Sequence, residues 1–121
     1  MIKTSSQKYN AKKKRLRNKA DKLLQIKAVK LGYCESCGTK ERLVGHHFCP
    51  KSLSNNLRYD LHNIIVLCMG CHFKHHNGDP QIYENFTKNK SAQWFNYIRK
   101  NRNVFIKPTL AWYESKIIKL K

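Results

Sequence analysis

Two C-x2-C pairs, Cys34/Cys37 and Cys68/Cys71, are separated by 30 residues in a chain of 121. Each such turn offers two sulfurs to one point, and thiolates are soft ligands suited to tetrahedral zinc. One ion held by all four would tie the segment between the pairs to whatever follows Cys71. A chain of this length suits one domain with a modest core, for which such a staple is useful. A fifth cysteine, Cys49, has no partner by spacing. The odd count, with no export signal in view, argues against a disulfide framework. Redox C-x-x-C chemistry would call for a βαβ setting that the pattern lacks. A two-cysteine, two-histidine finger fits poorly, because the gap from Cys37 to His46 is short and a second cysteine pair is at hand. The expectation is a structural Zn2+ on Cys34, Cys37, Cys68 and Cys71.

Around that staple the periodicities predict an α+β fold, mostly helical. Residues 8–31 read as a helix with Leu16, Ala20, Leu23, Leu24, Ala28 and Leu31 on one face and Gly32 as its stop. Residues 42–47 and 64–67 read as short strands, joined by the polar loop "PKSLSNNLRYDLHN". From Met69 the pattern turns helical and ends near Gly78. Asp79-Pro80 reads as an N-cap followed by an N1 proline, and Ser91 and Thr109 as caps of two further helices. Trp94, Phe95 and Ile98 should face inward on the first of these, and Leu110, Tyr113, Ile117 and Leu120 on the second. Residues 1–121 are expected to form a single domain: a basic N-terminal helix at 1–32, a metal-stapled core at 33–79 and C-terminal helices at 80–121. There is no internal repeat.

The formal charge is +18, unevenly spread. Residues 1–31 carry eleven Lys and Arg against Asp21 alone, residues 32–80 five against four acids, and residues 81–121 nine against two. A nearly neutral middle between strongly basic flanks points to a polyanionic partner, DNA or RNA first. Lys12, Lys13, Lys14 and Arg15 form the densest basic run, and Lys51 and Arg58 are candidate phosphate contacts in the loop. The longest apolar run, Ile64 to Met69, has the length of a strand and falls well short of the roughly 18 residues of a membrane span. The basic N-terminus has no apolar segment behind it, so the expected location is intracellular and cytoplasmic.

The histidines carry the chemistry. His46 and His47 are adjacent on a predicted strand, so their rings diverge. His72 and His76 are four apart on a predicted helix and can meet one ion. His75 is an alternative ligand, but it lies four from Cys71 and so faces the cysteine side; His76 ranks above it. One imidazole of the 46–47 pair can join His72 and His76 on a divalent ion. The other can stand across a bound phosphate as a general base, with a nearby asparagine to orient it by a hydrogen bond. Other residues have plainer readings: His62 in a loop, Cys49 as a small buried filler, Trp94 and Trp112 in the core.

The doublet His46-His47 with Phe48-x-Pro50, then Asn63, then His72 nine residues on, then His76, resembles the HNH or ββα-metal nuclease family in its zinc-stapled branch. The resemblance covers about residues 34–80. It implies a ββα-metal core in which His46 is a metal ligand, His47 the general base, Asn63 the orienting asparagine, His72 the closing histidine and second ligand, and His76 an extra ligand. Many relatives carry aspartate where His46 stands. Because imidazole suits transition ions better than magnesium, the catalytic ion stays open among Mg2+, Mn2+, Ni2+ and Zn2+. The stretch "LRYDLHNIIVLCMGCHFKHHNGDP" is also loosely similar to small phage-type HNH proteins, including recombination endonucleases that act on branched DNA.

The function expected is a metal-dependent DNA endonuclease of low sequence specificity. The looser resemblance implies a Holliday-junction enzyme instead, phage-encoded and acting in the host cytoplasm. A non-catalytic zinc module that binds nucleic acid would account for the charge and the cysteines but leave the histidines without a purpose. Nick versus double-strand break, and monomer versus homodimer, stay open.

Overall fold

The helix boundaries have local causes. In the computed structural model, which describes residues 2–121, helix α1 spans Ser5–Ala28. It begins three residues before the apolar pattern suggests because Thr4 and Gln7 form a capping box. The Thr4 hydroxyl accepts from Gln7 N–H at 3.1 Å, and the Gln7 amide oxygen accepts from Thr4 N–H at 2.8 Å. It stops at Ala28, where the chain tightens into a 3-10 turn, Val29–Leu31, and leaves through Gly32 at φ 89°. The change of pitch rotates Leu31 off the apolar face, so it is exposed while Ala20, Leu24 and Ala28 are buried.

Strands β1 (Leu43–His47) and β2 (Ile64–Cys68) pair antiparallel, with Gly45 opposite Val66, His46 opposite Ile65 and His47 opposite Ile64. Helix α2 follows at once as Met69–His76, then α3 (Pro80–Thr87), α4 (Ala92–Arg102) and α5 (Leu110–Leu120). Asp79, Ser91 and Thr109 cap the last three through their side chains, as their sequence contexts predict.

All five residues of β2 are buried, because the strand divides two small cores. Ile64 and Val66 pack with Ala20, Leu24 and Ala28 of α1 and with Tyr113, Ile117 and Leu120 of α5. On the opposite face, Ile65 and Leu67 pack with Cys34, Cys68, Cys71 and with Ile82 and Phe86 of α3. A strand covered on both faces must read as a continuous apolar run, which is how "IIVLC" reads. A third cluster, Cys49, Leu57 and Ile98, lies under the 48–60 loop with Phe48 and Trp94 against it. Trp94 is half-buried, and its indole N–H donates to His62 O at 2.8 Å; Trp112 packs against the first core.

The two-stranded sheet has two outer edges, and side chains close both. Gln25 of α1 donates to Gly45 O at 2.9 Å and accepts from Gly45 N–H at 2.8 Å. On β2, Glu35 accepts from Val66 N–H at 2.6 Å, and its own N–H donates to Val66 O at 2.8 Å. Gly45 is required by the closeness of Ile64 on β2 and of α1. A Cβ there would lie 2.9 Å from Ile64 Cγ2, 3.2 Å from Gln25 Oε1 and 3.3 Å from Ala28 Cβ. No helix among the described residues is long and apolar enough to cross a membrane.

Candidate metal centres and active site

The cysteine cluster is assembled from a turn before β1 and the junction of β2 with α2. Cys34, Cys37, Cys68 and Cys71 each offer a sulfur, and these atoms all lie within 4.8 Å of one another. Cys37 Sγ and Cys68 Sγ are 3.7 Å apart. Four sulfurs at about 2.3 Å from a tetrahedral ion stand about 3.8 Å from each other, so the spacing fits one metal ion. Backbone N–H groups of Ser36 and Cys37 point at Cys34 Sγ, and that of Cys71 at Cys68 Sγ, each at 3.4 Å. Such donors favour thiolates. Burial pushes the Cys34 thiol up, but the surrounding backbone hydrogen bonds outweigh it and bring it down to about 7. Cys71 is driven the other way, to about 12, by burial and by the neighbouring Cys68 sulfur. Four thiols so close do not all ionise without a cation among them, and they could form a zinc site.

The second cluster is made by β1 and α2. His46 on β1 and His72 and His76 on α2 bring one ring nitrogen each within 4.8 Å of the others. The Nε2 atoms of His72 and His76 are 2.9 Å apart, as the four-residue helical spacing allows. His75 also comes near His46, with ring centroids 4.8 Å apart, but its ring packs on Phe86 and it lies outside the group of three.

His47 leaves the strand on the other face. Its Nε2 lies 2.8 Å from Arg58 O. A carbonyl only accepts, so Nε2 carries the proton and Nδ1 keeps its lone pair. The two diverging rings still serve one space, because a cleft of about 420 Å³ runs along the outer edge of β1. Its walls include His46, His47, His72, His76, Gln25 and Lys51. One ring approaches the cleft from each face of the strand.

Residues 34–78 match the family described as HNH endonuclease. Over those residues the chain has the pattern of an HNH endonuclease domain. In comparisons with curated proteins and with solved structures, nothing matches. The matched residues hold both candidate metal groups, and α1, α3, α4 and α5 lie outside them.

Within the matched residues His46, His47 and His72 favour the neutral, ligating form. Burial, then the nearby His75, His72, His76 and His47, lower His46 to about 4. His72 is lowered by burial and by His76 and His75. His47 is lowered chiefly by burial, with Lys51 and Arg58 adding to this and the Arg58 carbonyl opposing it. A neutral imidazole with a free lone pair can bind a cation or accept a proton from water.

The Asn63 side chain makes no hydrogen bond to His47. It is fully buried and spans the neck of the loop, accepting from Cys49 N–H at 2.8 Å and donating to Cys49 O at 3.0 Å and Leu57 O at 3.3 Å. The hydrogen bond expected directly from the asparagine to the base is made instead by the carbonyl of Arg58, one residue beyond Leu57. Arg58, a candidate phosphate contact by sequence, grips Asp21 of α1 through Nε at 3.2 Å and Nη2 at 3.1 and 2.8 Å. Lys51 is exposed at the cleft, and Lys12, Lys14 and Arg15 are exposed on α1, with Lys13 half-buried beside them.

Sequence reasoning overlooked Gln25 and gave Asp21 no role. A signal existed for Asp21, since a lone acid in a helix of lysines needs a reason. Asp21 and Gln25 are also four apart and share a helix face toward β1 and its loop. Gln25 left no such mark.

Proposed function

We propose that this protein is a metal-dependent endonuclease that hydrolyses DNA phosphodiester bonds. The observation that carries the reading is the convergence of His46, His72 and His76 on one wall of a cleft that His47 also lines. In this reading His46, His72 and His76 hold a divalent ion, and Cys34, Cys37, Cys68 and Cys71 hold a structural zinc. The donor sets fit: three imidazoles suit a transition ion, and four sulfurs suit zinc. When bound, the divalent ion would neutralise the phosphate and stabilise the departing oxygen.

The remaining steps belong to the chain. His47 Nδ1 takes a proton from a water in the cleft, and that water attacks phosphorus in line with the leaving oxygen. The Nε2–H···O bond to Arg58 keeps the ring in the tautomer this requires and steadies the imidazolium that forms. Asn63 acts at one remove, by closing the loop that carries Arg58. Lys51 at the rim contacts a flanking phosphate, and Lys12, Lys13, Lys14 and Arg15 hold the backbone farther away. By family resemblance the products carry 5′-phosphate and 3′-hydroxyl ends.

Plasmid cleavage with added Mg2+, Mn2+ or Ni2+, with and without chelator, tests the reading. Conversion of supercoiled plasmid in at least one metal, lost on chelation, is the expected result. Tight DNA binding without cleavage in any metal would favour the non-catalytic zinc module.

A further inference from the structure

The basic helix α1 is joined to the base of the site by one ion pair. Asp21 is the only acidic residue among the first 31. Its carboxylate takes three contacts from Arg58, between 2.8 and 3.2 Å, and both side chains are largely shielded, at 32% and 18% exposed. The carbonyl of this same Arg58 receives the His47 ring proton at 2.8 Å.

We propose that Asp21 and Arg58 are positioning residues for His47: their ion pair holds the Arg58 carbonyl that sets the tilt and tautomer of the base. The inference rests on the reading of His47 as general base. The backbone around Arg58 is lightly held on its own. Its N–H reaches Asn55 O at 3.2 Å, the long end of the hydrogen-bond range. Leu57 is tied through its carbonyl to Asn63, and Tyr59 is buried in the first core. Those contacts fix the chain on either side of Arg58. The side chain of Arg58 is the remaining tie at the residue whose carbonyl orients the ring. A planar guanidinium bonded to both carboxylate oxygens is a directional tie, which a lysine ammonium does not reproduce.

Asp21→Asn and Arg58→Lys separate this role from a general brace. Asp21→Asn keeps the size of the side chain and loses its charge; Arg58→Lys keeps the charge and loses the fork. With saturating plasmid, both are expected to lower kcat on the order of 10- to 100-fold, as for a misplaced catalytic group, with KM changed less than about twofold. Asp21→Glu, which restores the carboxylate, is expected to recover part of the rate. Ring 15N shifts of His47, read at one fixed pH without DNA, should show the Nε2–H tautomer in the wild type and a mixture in both variants. An unchanged kcat, or a rise in KM alone, overturns the proposal, as does a His47 tautomer identical in all proteins. If the wild-type protein cuts no DNA in any metal, the functional reading fails, and the 15N comparison still decides whether the ion pair sets the ring.

Discussion

His47 and Asn63 illustrate two ways for one side chain to matter. His47 is half-buried and makes one polar contact, to Arg58 O. Its replacement by alanine should leave the fold and DNA affinity intact while cleavage falls by about 10²- to 10⁴-fold, the usual share of a general base. Parallel cleavage and binding assays check this, and cutting at the wild-type rate would remove His47 from the mechanism. Asn63 behaves differently. Its removal strands the buried N–H and C=O of Cys49 and takes one of two donors from Leu57 O, which keeps Asp60 N–H at 3.2 Å. Asn63→Ala should therefore cost about 1–3 kcal/mol of stability, visible as a shifted denaturant midpoint, as well as activity. The family resemblance marked both residues, but it could not distinguish contact with the base from support of the loop beneath it. Separating those roles requires knowing what Asn63 bonds to, and its partners lie 6 and 14 positions away in the chain.

At the scale of elements, the parts most legible from sequence are those whose causes are local. Cys34 and Cys37 share one turn, His72 and His76 share one helix face, and Asp79, Ser91 and Thr109 each cap the helix that follows. The periodic burial of α5 and the unbroken apolar run of β2 are legible for the same reason. The clamps on the sheet were hidden because they join distant positions with no repeat: Gln25 to Gly45, Glu35 to Val66, Asp21 to Arg58. Two predictions belong here. Cys34→Ser should loosen the ββα core as a whole, since it breaks a group that joins the first knuckle to the start of α2. Its effect should appear as a lower melting temperature with one metal equivalent lost per chain. Gly45→Ala should be destabilising by about 1–3 kcal/mol through overpacking, because the new methyl would press on Ile64 and on the Gln25 clamp. A midpoint unchanged in urea would show that α1 can retreat from β1 at no cost.

At the scale of the whole molecule, the basic N-terminal segment is part of the body. Ala20, Leu24 and Ala28 of α1 form one core with Tyr113, Ile117 and Leu120 of α5. Deleting residues 1–31 would therefore empty that core, and the loss of binding would say nothing about charge. Substitution at the exposed end is the informative change. Replacing Lys12, Lys13, Lys14 and Arg15 by glutamine removes four positive charges while leaving the buried stripe intact. Phosphate contacts on duplex DNA each contribute about −0.9 to the slope of log affinity against log salt, so the slope should flatten by up to about 3.6. An unchanged slope would make this run a solvated surface. The packing of α1 on α5 also bears on substrate shape. The two end helices lie side by side on one face of β2, so we read them as one basic face and not as two separate arms. Their charges can still follow one duplex past the cleft, contacting phosphates without reading bases. Linear duplex and four-way junction of matched sequence should therefore be cut at similar rates, with breaks scattered along the duplex. Mapping the ends on both substrates checks this. A strong preference for the junction would mean that the branch point is recognised by a surface other than these two helices, and a single defined cut in long duplex would refute low specificity.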